Sequence, residues 1–320
     1  AITGDGTTTS PNVIEGCYQT EGDLLDNGRS SDGTLNTTNF PEISYTGTTA
    51  RLSASGANYL TVMCLAITSG ASNPTLSLGA GAGAKLCSVT NSGTNAASTA
   101  ILSSAADVSV VNCDVLVAST GATAAINMTG NNWLIDGCRS KCVAGAGIKV
   151  VAAGTIKNNT IFECTTGIAV DATTSNPVIV NNTIANCTGD GIDIVTGTTA
   201  IQAIQGNSIT GCGGYAIDFN TSTCVKRLGN NRFRDNTSGN INGGGDWEEG
   251  TSVSNVTSDD TDAIDFVDAT TDNYALLAGA PQTSKGNGYL IDIGAHGSPV
   301  VTGGGGMIGY TIDQGVECLL

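Results

Sequence analysis

Two sets of residues in this chain have the type and spacing to do chemistry. The first is acidic. Asp193 and Asp218 lie 25 residues apart in the look-alike phrases GIDI and AIDF, with Asp190 just ahead of the first. Two carboxyls held side by side can share a proton or bind a hard cation such as calcium. The second set is sulfur. Seven of the eleven cysteines, Cys64, Cys87, Cys113, Cys138, Cys164, Cys187 and Cys212, follow one another at intervals of 23, 26, 25, 26, 23 and 25 residues. Thiols on such a beat are metal ligands, disulfide partners or small apolar side chains at one recurring place in a repeat.

The flanking residues show which elements must position these groups. NNTIFECTTGIAV (158–170), NNTIANCTGDGIDI (181–194) and GNSITGCGGYAIDF (206–219) superimpose on their cysteines. Three columns emerge: Ile156, Ile179, Ile204 and Leu228; Asn159, Asn182, Asn207 and Asn231; Ile161, Ile184, Ile209 and Phe233. Trp133 falls in the asparagine column by the same count. After each cysteine, Ile168/Val170, Ile192/Ile194 and Ile217/Phe219 alternate with Ala169, Asp193 and Asp218. Such alternation describes a strand with one buried face, and the intervening Gly, Asn, Thr and Ser supply turns. No stretch keeps a helical period over several turns. The pattern predicts an all-β parallel β-helix, with coils of about 23–26 residues. Like residues then stack at the strand spacing of roughly 4.8 Å.

In that stack one outward column reads Lys149, Ala169, Asp193, Asp218. It brings the two carboxyls to roughly 5 Å from each other. The parallel Cβ vectors of stacked cysteines oppose disulfide torsion. Short paired-cysteine zinc motifs are absent, and Cys138 and Cys142 have no second pair or histidine beside them. Cys113, Cys138, Cys164, Cys187 and Cys212 are therefore expected to form one ladder of buried free thiols. Reduced thiols in turn suggest folding in a reducing cytosol.

N-x-I-x-x-C followed by G-I-x-V/I resembles the coil pattern of right-handed, single-stranded parallel β-helix proteins of the pectate-lyase-like superfamily. It is clear from Asn131 to Asn236 and fainter back to Ile43. Residues 265–296, DFVDATTDNYALLAGAPQTSKGNGYLIDIGAH, resemble the closing segment of phage and bacterial β-helix proteins. Ala280-Pro281-Gln282 stands where that pattern prefers Ser-Pro-Ala. The resemblance implies right-handed winding and, for phage members, side-by-side trimers. It leaves function open, because this superfold carries lyases, hydrolases, adhesins and virion parts.

β-Helix lyases, by the same resemblance, need calcium-binding carboxylates and an Arg or Lys base. β-Helix hydrolases need grouped Asp residues with a His and a basic pair. Here Lys149 is two coils from Asp193, roughly 10 Å at the strand spacing. The single histidine, His296, lies in the closing phrase, and no Arg is expected in the neighbouring outward columns. Asp193 and Asp218 are thus read as solvated surface acids first and as a weak catalytic pair second. Asp190, Asp193 and Asp218 are weak calcium candidates, and no other cofactor is expected.

The chain of 320 residues has a net charge of −16, which argues against nucleic acid or an anionic membrane as partner. AITGDGTTTS lacks the basic and apolar regions of a signal peptide, and no apolar run approaches the roughly 20 residues of a membrane span. Residues 1–42 read as an extended arm or cap, 43–245 as the β-helix, 246–302 as a C-terminal cap and 303–320 as a tail hinged on Gly303–Gly306. In the tail Met307, Ile308, Tyr310, Ile312, Val316, Leu319 and Leu320 are apolar. They would fold back on the cap or dock on a partner. The expected function is a non-enzymatic structural component of a bacteriophage virion, a capsid decoration or fibre-like protein. It would be homotrimeric, bind a capsid or other virion protein, and assemble in the bacterial cytoplasm. The alternatives are a secreted adhesive β-helix at the cell surface and a polysaccharide lyase or hydrolase.

Overall fold

Three parallel sheets run side by side through the described residues, because each coil contributes one short strand to each. Sheet A has nine strands, from Asn12–Glu15 to Leu228–Gly229. Sheet B has ten, from Glu42–Tyr45 through Arg232–Arg234 to Val256–Thr257. Sheet C has nine, from Leu52–Ala54 to Gly239–Asn242. The computed structural model describes residues 12–15, 42–45, 52–54, 58–70, 73–93, 98–171, 177–195, 201, 203–220, 228–229, 231–243, 256–257, 266–268 and 273–276. Among the described residues no helix is long and apolar enough to cross a membrane.

The register follows the sequence columns. Ile156 pairs with Ile179, Ile179 with Ile204 and Ile204 with Leu228 in sheet A. Ile161, Ile184, Ile209 and Phe233 stack in sheet B, and Ile168, Ile192, Ile217 and Ile241 in sheet C. Most of these side chains are fully buried in one continuous core. Each buried isoleucine contributes about 1.5–3 kcal/mol, an upper figure because the unfolded chain already hides some surface.

Two boundaries shift from the sequence reading. Asn12–Glu15, inside the segment read as an arm, pairs with Leu60–Met63, so sheet A starts well before residue 43. Val256–Thr257, inside the segment read as a cap, pairs with Arg232–Phe233 and extends sheet B past residue 245. Open sheet edges seek partners, and these short strands satisfy them. Phe266–Asp268 and Asn273–Leu276 form a separate antiparallel pair. The tail residues Met307, Ile308, Tyr310, Ile312, Leu319 and Leu320 lie outside the described residues.

The chain turns the corner from sheet A to sheet B through a residue in the left-handed conformation, at Leu86, Asn112, Gly137, Asn158, Asn181 and Gly206. Asn and Gly adopt that conformation at little cost, which explains their abundance before the ladder positions. The step into sheet C is tighter. A Cβ added at Gly191 would sit 2.4 Å from Ile209 Cγ2 and 2.6 Å from the Ala216 carbonyl oxygen, and Gly167 meets Ile184 in the same way. The glycine of the G-I-x-V/I motif is there to let the sheet B isoleucine of a neighbouring coil fill the core.

Candidate functional site

The cysteines form two rows on two different corners, not one. At the sheet A to sheet B corner, Cys87, Cys113 and Cys138 stack, and the row then continues as Asn159, Asn182, Asn207 and Asn231. At the sheet B to sheet C corner the row is Cys142, Cys164, Cys187 and Cys212, ending in Asn236. The expected single ladder of Cys113, Cys138, Cys164, Cys187 and Cys212 is therefore split between Cys138 and Cys164. The coil from Ile135 to Ile156 advances by only 21 residues, so Cys138 meets Asn159, and Cys164 meets Cys142 instead. Cys64 belongs to neither row; it occupies the left-handed corner position one residue early, with Leu65 next to Cys87. Trp133 stands in sheet A opposite Gly154 rather than in the asparagine row.

All eight described cysteines are free and buried. In the asparagine row every amide is engaged. The Asn182 Oδ1 accepts both the backbone N–H and the Nδ2 of Asn159 at 3.0 Å, and the Asn182 Nδ2 donates to the Ile156 carbonyl at 3.1 Å. The thiols make weaker versions of the same bonds. Cys138 Sγ donates to the Val110 carbonyl at 3.4 Å, while its N–H donates to Asn159 Oδ1 at 2.8 Å. Burial raises the Cys113 pKa far above the usual thiol value, and the hydrogen bond with Cys164 does so first for Cys187. Thiols held protonated in this way are poor nucleophiles and poor metal ligands; Cys87 moves the other way, lowered first by its hydrogen bond with Cys113.

Asp193 and Asp218 sit on the outward side of sheet C, where Asp218 is largely covered, and Asp190 lies just before the Ile192–Ile194 strand. Lys149 pairs with Ala169, Ala169 with Asp193, Asp193 with Asp218 and Asp218 with Asn242. Each carboxyl takes a hydrogen bond from the chain itself. Asp193 Oδ1 accepts from Asn220 Nδ2 at 2.6 Å, Asp218 Oδ1 from Asn242 Nδ2 at 3.0 Å, and Asp190 Oδ1 from the Tyr215 N–H at 2.6 Å. Burial, and then the charges of Asp190 and Asp218, push the Asp193 carboxyl up to about 6. Burial also raises Asp190. Lys149 is paired with Asp171 at 3.2 Å. Among the described residues no group of three or more His, Cys, Asp or Glu side chains is placed to hold a metal ion. His296 lies outside the described residues. The row can share protons between adjacent carboxyls, and it presents a ridge of negative charge.

A family model described as a right-handed beta-helix region matches residues 78–238. That span holds both corner rows and the acidic ridge. The chain belongs to the right-handed β-helix family. A comparison with curated proteins gave no match. Within this β-helix, the membership accounts for the winding and the coil pattern and assigns no chemistry to the acids.

Sequence columns missed one feature of the β-helix. The outward face of sheet B carries Ser88, Asp114, Arg139 and Thr160 in one column, and Thr90, Leu116 and Lys141 in the next. Arg232 and Arg234 follow in the same two columns by register, although Arg232 is buried and only Arg234 reaches solvent. A groove of about 250 Å³ runs between these residues, with Phe162 closing one end. The Arg139 guanidinium lies 4.4 Å from the Phe162 ring centroid and the Lys141 ammonium 5.5 Å from it. Lys141 also pairs with Glu163. Successive coils supply different residue types here, so no recurring letter marked the groove.

Proposed function

We propose that this β-helix is a non-enzymatic structural protein, made in a reducing cytoplasm and built into a bacteriophage particle as a decoration or fibre-like component. The two rows of buried thiols outside any disulfide carry this reading. A solenoid whose corners depend on stacked free thiols suits a chain that completes its folding before meeting oxidants. The carboxyl row is compatible with it, since Asn220, Asn242 and the Tyr215 amide each give one of the three carboxylates a structural hydrogen bond. A homotrimer, and docking of the Met307–Leu320 tail on a capsid or other virion protein, belong to the same proposal.

Fractionation of a phage-producing culture tests the assignment. Co-sedimentation of the chain with phage particles, with the eight corner thiols still titratable after denaturation without reductant, is the expected result. Recovery from the cell surface with those cysteines in disulfides would overturn it in favour of an adhesive protein. Release of unsaturated or reducing ends from pectate or alginate, abolished by Asp193→Ala or Asp218→Ala, would overturn it in favour of an enzyme.

A further inference from the structure

We propose that residues 258–302 run back over the outward face of sheet B and cover it from Thr160 to Arg232. The contact is internal to the chain and does not depend on a place in a phage particle.

Burial on the outward side of a sheet carries the proposal. Ile161, Ile184, Ile209 and Phe233 fill the core from sheet B, so the adjoining Thr160, Thr183, Ser208 and Arg232 point away from it. Yet none of these four is more than 2 % exposed. Phe162 and Ala185, in the next outward column, are buried too and lie outside the continuous core. Sheet A gives the contrast in the same coils, where the outward Thr155, Lys157, Val178, Val180 and Gln205 are only half-buried. Earlier coils of sheet B are open as well: Ser88, Thr90, Asp114 and Lys141 are half-buried and Leu116 is exposed. Threonine, serine and alanine are too short to hide one another on an open face. A further layer of chain must lie over them.

Position along the chain selects that layer. The covered coils end at Val256–Thr257, the last strand of sheet B, and 258–302 leaves directly from there. Thr160 to Arg232 is three coil steps, or roughly 14 Å, which about five extended residues span. Stretches 172–176, 196–200 and 221–227 join sheet C strands to sheet A strands, away from sheet B. Stretch 16–41 is held at both ends in the first coil. To reach Arg232 it would run roughly 38 Å along the axis and back, most of its full extension.

The chemistry of 258–302 suits the face. A guanidinium taken out of water needs a matching anion, and Asp259, Asp260, Asp262, Asp265, Asp268 and Asp272 follow the last strand. Thr160 Oγ1 and Ser208 Oγ are buried without a hydrogen bond, as under an apolar strip, and Tyr289, Leu290, Ile291 and Ile293 supply one. Phe162 also closes the groove, so the covering segment sets where the groove ends. Lifting it would open the rest of the face.

Photo-cross-linking on the full chain identifies the occupant. A diazirine amino acid placed at Ala185 or Thr210 should capture peptides from 258–302, while one at Leu116 should not. Mixed light and heavy isotope-labelled chains separate capture within a molecule from capture between molecules. Two substitutions then shift the contact in opposite directions, read as tryptic cleavage after Lys285. Ala185→Glu puts a charge under the segment and should speed cleavage on the order of tenfold, since proteolysis follows the population of the open form. Thr160→Val removes a hydroxyl buried without a partner and should slow it. Circular dichroism checks the fold, and the nearly isosteric Thr160→Val reads the contact even if Ala185→Glu fails to fold. Capture of 16–41, capture between chains, no capture at all, or cleavage that neither substitution moves would each overturn the contact.

Discussion

The two corner rows solve one problem with different atoms. Each corner leaves a backbone N–H and a carbonyl facing the core, where an unmet polar group is costly. In the asparagine row the side-chain amide answers both, with hydrogen bonds near 3.0 Å above and below. In the second row the thiol answers weakly: Cys142 N–H donates to Cys164 Sγ at 3.2 Å, and Cys187 Sγ reaches the Ala185 carbonyl at 3.9 Å. Amide corners are held by directional bonds and thiol corners mainly by apolar fit.

Breaking each row should expose that difference. Asn182→Ala strands the Asn159 N–H and the Ile156 carbonyl, and should lower unfolding stability by about 3–5 kcal/mol. Cys187→Ala removes a small apolar group and should cost about 1–2 kcal/mol. Urea titrations of the two variants decide the matter, and equal losses would mean that the rows are held alike. Cys187→Asp, which buries a carboxyl without a designed partner, should be worse than either.

The glycine column beside the thiol corner gives a second handle. Gly191→Ala forces a Cβ against Ile209 and the Ala216 carbonyl, and should cost about 1–3 kcal/mol through overpacking. A thermal melt unchanged from wild type would show that the isoleucine column yields more easily than its close packing suggests.

A pH series separates the acidic coils from the rest. The folded Asp193 carboxyl titrates near 6, above its unfolded value of roughly 3.9. The folded state therefore holds the proton more tightly. Stability should rise as the pH falls from 7 towards 4, and this contribution should level off below the unfolded pKa. Asp193 is partly exposed to solvent, so screening reduces the gain to about 1 kcal/mol. Asp193→Asn should remove that rise. Hydrogen-exchange protection factors, corrected for the intrinsic rate, should rise with falling pH in Ile192–Ile194 and Tyr215–Phe219 and stay level in Ala124–Met128.

The smallest effect is the sharpest comparison. Cys138 already donates its N–H to Asn159 and its thiol to Val110, the bonds an asparagine would make there. Cys138→Asn should lengthen the amide row and change stability by less than about 1 kcal/mol in either direction. A chemical melt showing a large loss would mean that the thiol section of that corner is too narrow for an amide.

The isoleucine and asparagine columns, and the Lys149–Ala169–Asp193–Asp218 row, were legible because each keeps its residue type in step with the coil. The cysteine rows were misread for the same reason. One short coil moved the thiols from one corner to the other, and Cys138 to Cys164 still spans 26 residues, so the change of corner left the beat intact. Only the hydrogen-bond partners reveal the shift. The groove was invisible because Asp114, Arg139, Lys141 and Phe162 share a place without sharing a type.

The asparagine row also gives the solenoid an electrical direction. Backbone dipoles in its sheets alternate and largely cancel. The side-chain carbonyls of Asn159, Asn182, Asn207 and Asn231 do not alternate, since each oxygen faces the coil before it and accepts from that coil's amide. Four aligned amide dipoles polarise one another along the axis. An added coil is therefore read differently at the two ends. At one it must offer an N–H to a waiting oxygen, and at the other it must bring the oxygen itself.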